Sequence, residues 1–316
     1  MRIVRSLEGS EISYGNRNLA RTIWRNRYVY LLLIPGLLHI FIFSYIPMYG
    51  VLLAFKDFSI TRGILASPWA GLKHFERALG FGKFWQVFFN TLKISFGKIA
   101  IGFWVPIVLA LLLNELKNRL FKRVVQTIIY LPHFISWVIV YGMVVSIFSA
   151  EGGVINKLIT YFGGEPVNFL IEPGAFMGII YGSEVWKGAG WGTIIYLAAL
   201  SGIDQELIDA AIVDGANRFQ RVIHINIPSI MHTVIILFIL RIGGIMNAGF
   251  DQIFNFMNPV VSRYVDIIDT YVYQLGLVQS NYSFAAAVGL FKSVLACALL
   301  LLVNFLSKKF TESSIF

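Results

Sequence analysis

Six blocks of the chain, about 28–55, 84–114, 124–150, 173–202, 227–250 and 281–307, are apolar over lengths that a spanning helix needs. The pattern predicts an all-α polytopic membrane protein with about six transmembrane helices. Pro35 and Pro47 would kink the first block, where His39 is expected as a packing residue. Pro132 and His133 interrupt the start of the third, and Gly182, Gly188, Gly190 and Gly192 break the fourth. Between the fourth and fifth blocks lies the only strongly patterned polar segment of the second half, 203–228. Asp204 is a good N-cap, Glu206 adds charge to a first turn that favours it, and Leu207, Ile208, Ala211 and Ile212 share one face. Gly215 supplies a residue that can turn left-handed, Arg218–Ile223 reads as a second short helix, and Pro228 suits the first turn of the next span. Ala210 and Ala211 would let a partner approach closely. On these grounds alone an ordinary helical loop fits as well.

Composition supports the membrane reading: 57% of residues are hydrophobic and 14% are charged. The net charge of +9 comes from cations that flank apolar blocks, not from one aromatic-interleaved patch, which argues against nucleic acid. Arg2, Arg5, Arg17, Arg21, Arg25 and Arg27 precede the first block, with Trp24 placed as an interfacial anchor. Lys117, Arg119, Lys122 and Arg123 fill a short loop, and Lys308 and Lys309 follow the last block. The positive-inside rule then places both termini in the cytoplasm.

Three regions are expected: 1–27 a basic cytoplasmic tail, 28–83 the first span and an external amphipathic loop, and 84–316 a core with segment 203–226 projecting from it. The external loop carries Lys56, Arg62, Lys73, Arg77 and Lys83, against the charge rule; Leu72, Phe75, Ala78 and Leu79 mark a helix lying on the surface there. Segments 151–172 and 251–279 are expected outside as well. The run Tyr28–Phe55 is too long for a cleaved signal and should stay as an anchor. A single cysteine, Cys297, in an apolar stretch is expected as a small core residue.

Asp209-Ala210-Ala211, then Gly215, then Ile225-x-Ile227-Pro228 resembles the EAA motif of binding-protein-dependent ABC importer permeases, with Asp for Glu and Ile for Leu at intact spacing. Trp69–Phe75 followed by Asn90-Thr91-Leu92 resembles the lead-in to the second span of that family. Arg241–Ile253, with Ile268–Tyr273, resembles more narrowly the oligosaccharide and polysaccharide permeases, including the alginate and aldouronate types. The resemblance implies a type I importer fold in a bacterial inner membrane, with a cytoplasmic coupling helix pair. Asp204, Glu206, Asp209, Ala210, Ala211, Asp214, Gly215, Arg218, Phe219, Ile225 and Pro228 would then dock on an ATPase dimer. It implies alternating access, a second homologous permease subunit that is more often different than identical, and an external solute-binding protein. Neither Gly82-Lys83 nor Gly97-Lys98 completes a P-loop, so the chain should be a non-enzymatic subunit that binds no cofactor, with ATP and Mg used by the partner.

Within the spans, Lys93, Lys98, Lys187, Arg241 and Lys292 stand against one acid, Glu184. A cavity lined by several of them would attract an acidic saccharide, with Trp186 and Trp191 stacking on sugar rings and Asn247 and Asp251 bonding hydroxyls. Snorkelling of each cation to an interface is the competing reading. A neutral oligosaccharide is the alternative substrate. An ion-coupled secondary transporter would show half-repeats or several buried acids, and a membrane enzyme an Asp, Glu or His cluster on an aqueous loop; neither pattern is found. The acids Asp204, Glu206, Asp209 and Asp214 scatter around a helix, and no metal site is expected.

Overall fold

The computed structural model describes residues 24–311, and side chains as far as residue 305. The arginines before Trp24, and Lys308 and Lys309 as side chains, lie outside the described residues. The chain divides into two compact units, residues 1–52 and 53–316.

The first unit holds α1 (Arg27–Ile40), which runs on through a π turn, Phe41–Tyr45, and the start of a 3-10 stretch, Ile46–Phe55. Its side chains are exposed throughout α1 and the π turn, as a helix apolar all round must be when its solvent is lipid. His39 is exposed too and lies against Phe43 with ring centroids 4.9 Å apart, so it is not a packed interior residue. Trp24 takes a cation-π contact from Arg27 at 4.8 Å.

The second unit contains α2 (Gly63–Ala66), α3 (Lys73–Gly80), α4 (Gly82–Gly102), α5 (Trp104–Asn114), α6 (Arg119–Tyr130), α7 (Trp137–Phe148), α8 (Val154–Tyr161) and α9 (Pro173–Ser201). There follow α10 (Gln205–Val213), α11 (Arg218–Arg221), α12 (Ile227–Gly243), α13 (Phe250–Phe256), α14 (Ser262–Val265), α15 (Ile268–Tyr273) and α16 (Tyr282–Thr311). Among the described residues, four helical runs are long and apolar enough to cross a membrane: Arg27–Phe55, Gly82–Asn114, Arg218–Gly243 and Tyr282–Phe305. Arg119–Phe134 and Trp137–Phe148, bent by 103°, make a fifth if taken together. The sixth expected span is α9, whose 29 residues reach roughly 43 Å, enough to cross; glycines, Glu184 and Lys187 dilute its apolarity. Small residues set its packing: a Cβ on its Gly190 would overlap the Ile129 carbonyl, and one on Gly97 of α4 would meet its Tyr181 ring at 2.5 Å.

The segment 251–279, expected outside, is largely packed into the fold. Gln252, Ile253, Phe256, Val261, Ile267, Ile268 and Thr270 are fully buried. Ile253, Phe256, Val261 and Ile267 form one cluster with Ile94, Val140, Phe176 and Ile180 of α4, α7 and α9. The sequence hid this because polar residues inside the segment bond to protein instead of water. Asp266 receives Lys83 at 2.7 Å and the Thr270 hydroxyl at 2.6 Å, while Asn90 donates to the carbonyls of Arg263 and Asp266.

The cations of 56–83 that conflicted with the charge rule are mostly committed within the fold. Lys56 donates to the carbonyls of Ile64 and Leu65, Lys73 pairs with Asp57 at 2.8 Å, Lys83 with Asp266, and Arg77 lies 5.2 Å over the Phe284 ring. The hydrogen bond from Lys73 holds the Asp57 carboxyl below its ordinary range. The helix expected on the surface exists as α3, but its His74 and Ala78 are buried, Ala78 in a cluster with Phe284 and Val288 of α16. Cys297 is exposed on α16, not in the core. Apolarity alone could not tell an outward-facing stretch of a membrane helix from an interior one.

Candidate functional site

Two features carry chemistry. The first is the elbow between α9 and α12. Asp204 accepts from the Glu206 N–H at 2.9 Å and starts α10, and Gly215 has φ +80 and turns the chain. Asn217 and Gln220 form a reciprocal capping box that starts α11. The second short helix of the expected pair is not free-standing: α11 continues through a π turn, Val222–Asn226, into α12, so Arg218–Gly243 is one helical run with Pro228 in the first turn of α12. The first helix therefore sits on a stiff rod.

Asp209 accepts from Gln205 at 3.1 Å, and Asp204, Glu206, Asp209, Ala210, Asp214, Arg218 and Phe219 are exposed. Ala211 and Ile225 are half-buried. Apolar side chains stand in the open: Leu207, Ile212, Val213 at 86% and Phe219 at 72%. Such a face on a polar projection marks a contact surface. Inside the bend, Ala211, Asp214, Gly215, Gln220, Arg221 and His224 surround a hollow of about 370 Å³.

The second feature is a cavity of about 460 Å³ between α4, α5, α9 and α12, lined by Ser95, Lys98, Phe103, Glu184, Tyr196, Arg241 and Asn247, among others. Lys98 is buried; it pairs with Glu184 at 3.1 Å and donates to the Ala248 carbonyl at 2.8 Å. A Cβ on Gly249, φ +89, would come within 2.8 Å of the Lys98 Nζ, so the ammonium reaches that carbonyl because this position is glycine. The unwound stretch 244–249 thus borders a cavity, where non-helical backbone at membrane depth is tolerated. Arg241 makes no ion pair with the described residues, and the buried Ser95 Oγ has no hydrogen-bond partner among them. Ser95 lies one turn before Lys98, and that spacing was the available sign of it. Gln252, also unforeseen, fixes α13 to α9 by donating to the Ile180 carbonyl at 2.7 Å and to Ser183 at 2.9 Å.

Of the substrate-path residues read from sequence, the fold brings Lys98, Glu184, Arg241 and Asn247 together around this cavity. Lys93 and Asp251 are exposed and outside its lining. Lys292 is paired with Asp269. Trp191 stacks on His133 at 4.4 Å, and Trp186 lines a separate apolar groove between α7 and α9.

Lys187 caps the break in the third span. It donates to the carbonyls of His133 at 2.5 Å and Ile135 at 2.6 Å, with Pro132 at 3.4 Å and the Trp137 ring 5.6 Å away. The helix ends at Ile135, so these carbonyls have no helical donor and need one in lipid; Lys187, expected in the cavity wall, supplies it instead. Replacing Lys187 with Met should lower stability by about 2 kcal/mol, through unsatisfied carbonyls. Thermal unfolding of the purified complex reads that loss. Because Lys187 is outside the cavity wall, uptake of acidic and neutral saccharides should fall in parallel.

A polytopic helical bundle with a helical elbow projecting between two of its long helices, and a polar cavity inside, defines a membrane transport subunit. Residues 102–312 match the family model described as the binding-protein-dependent transport system inner membrane component, and this chain belongs to that family. It is 46% identical to the protein LplB of Bacillus subtilis (strain 168), over 92% of each chain. It is 43% identical to the polygalacturonan/rhamnogalacturonan transport system permease protein YteP of the same organism, over 92% of this chain and 91% of the relative. Among solved structures, it matches a bacterial ABC transporter involved in import of the acidic polysaccharide alginate, with a TM-score of 0.85 and 38% identity over 93% of this chain and 100% of the other. The chain is thus a membrane-embedded permease of the carbohydrate ABC transporter group.

Proposed function

We propose that this permease carries an acidic oligosaccharide or polysaccharide, and that it does so by alternating access. The observation that carries the reading is Arg241, a guanidinium in the cavity wall that ion-pairs with no carboxylate among the described residues, beside a Lys98 already paired with Glu184. A uronate carboxylate would supply the missing charge, and the exposed Asn247 in the same wall would meet sugar hydroxyls. The alginate importer, whose cargo is an acidic polysaccharide, and YteP, which serves polygalacturonan and rhamnogalacturonan, support the same class.

The elbow's apolar face fits a groove on a separate ATPase dimer that uses ATP and Mg. A second, different permease subunit completes the path, and a binding protein delivers the sugar. A second structural match, a bacterial alginate ABC transporter in complex with alginate pentasaccharide-bound periplasmic protein, supports that delivery route. The elbow and both termini face the cytoplasm, and this chain itself binds no cofactor.

The test is Arg241→Gln in the purified complex, with ATP hydrolysis driven by binding protein loaded with a uronate or a neutral oligosaccharide. Loss of one charge-assisted hydrogen bond should weaken the acidic substrate roughly tenfold or more. The neutral one should change little. Equal losses on both would overturn the acidic reading.

A further inference from the structure

The buried face of α13 consists of Gln252, Ile253 and Phe256, which are neighbours around the helix. Ile253 and Phe256 join Phe176, Ile179 and Ile180 of α9 in one apolar cluster. Gln252 is the polar member of this seam. It is fully buried and donates to the Ile180 carbonyl at 2.7 Å and to the Ser183 hydroxyl oxygen at 2.9 Å.

Stability does not call for an amide at this position. The Ile180 carbonyl lies inside α9, where the N–H four residues on already serves it. Ser183 has its own acceptor in the Ile179 carbonyl at 2.7 Å. The Gln252 Oε1 is buried with no donor among the described residues, and burying a polar atom in that way is destabilising. An apolar side chain of similar length and volume would fill the space at least as well.

What the amide adds is direction. Apolar contacts between two helices tolerate a slide, whereas a single polar contact in an apolar seam selects one register at a cost in stability. The register of α13 on α9 matters because α13 anchors the non-helical stretch 244–249 that precedes it. A slip of one residue would carry that stretch about 1.5 Å along the helix axis. There is no room for such a slip: Lys98 reaches the Ala248 carbonyl at 2.8 Å, and even a Cβ on Gly249 would come within 2.8 Å of the Lys98 Nζ. Asn247 in the cavity wall rides on the same stretch.

We propose that Gln252 is a positioning residue for transport: its amide sets the register of α13 on α9 and so holds Asn247 and Ala248 in place at the cavity. The proposal rests on the cavity being the path of the sugar. Gln252 touches no sugar itself and acts through the stretch that it anchors.

The experiment replaces Gln252 with Met and, separately, Ser183 with Ala in the assembled complex. Thermal unfolding is followed alongside ATP hydrolysis driven by binding protein loaded with a uronate oligosaccharide and, in parallel, with a neutral one. Gln252→Met should unfold at the wild-type temperature or above it, while turnover at saturating binding protein falls roughly tenfold through the displaced wall. The half-saturating concentration of binding protein should stay the same, because the substitution is buried away from any docking face. Ser183→Ala removes one of the two acceptors and should lose less turnover, again with unfolding unchanged. Failure of Gln252→Met to assemble, or a parallel loss of unfolding temperature and turnover, would make Gln252 a structural fastener and overturn the proposal. Full turnover by both variants would overturn it as well. Unfolding needs no sugar, and whichever sugar drives the wild type serves for the comparison, so the outcome is separate from that of the Arg241 test.

Discussion

Substituting Val for Gly215 should separate ATP hydrolysis from uptake. Gly215 sits at φ +80, where a β-branched residue is strained by about 1–3 kcal/mol. Space is not the obstacle, since a Cβ there meets nothing within 4 Å. The exposed turn is free to relieve the strain by rotating out of the left-handed region. That swings α10, held at its other end by the Asp204 cap, away from the rod formed by α11 and α12. The core clusters do not include the turn, so the variant should fold and insert normally. Uptake should fall more than tenfold, and loaded binding protein should no longer stimulate the ATPase. Gly215→Asn, which tolerates the left-handed region, should retain much of both. Full transport by the Val variant would remove the elbow from the coupling path.

How much of this was legible in the chain follows from what periodicity and spacing can encode. The elbow was readable because its signals are local: a cap at Asp204, a left-handed glycine eleven residues on, and a proline opening the next helix. The continuity of α11 with α12 was not, because Pro228 reads as the opening of a new helix, whereas a π turn at Val222–Asn226 leads the chain into it without a break. The packing of segment 251–279 was hidden for another reason. It is rich in Asn, Asp, Gln and Tyr, which show no periodic apolar face, yet Gln252, Asp266 and Thr270 are buried because each finds a partner far along the chain or within the segment itself. The intramembrane cations were visible as a set, but their fates were not. Lys98 lines the cavity, Lys187 caps a broken helix and Lys292 pairs with Asp269; side-chain partners tens of residues away decide among these.

The other large effect is expected at the pair inside the cavity. Glu184→Gln leaves the Lys98 ammonium buried, still held by the Ala248 carbonyl but without its counter-charge. Removing one partner of a buried pair costs about 3–5 kcal/mol; the low end applies here because Glu184 is partly open to the cavity. Thermal unfolding of the complex should therefore drop markedly for Glu184→Gln. The double variant Lys98→Met with Glu184→Gln should recover most of the loss, since it removes the uncompensated charge along with the bond. Transport separates the two roles of the pair: if Lys98 and Glu184 only hold α4, α9 and the unwound stretch 244–249 together, the double variant should regain uptake with its stability. If the stable double variant stays inactive while Arg241 is intact, the pair itself handles the sugar. Additive losses in the double variant would mean that Lys98 and Glu184 are not coupled, and that the contact between them does not hold the cavity wall.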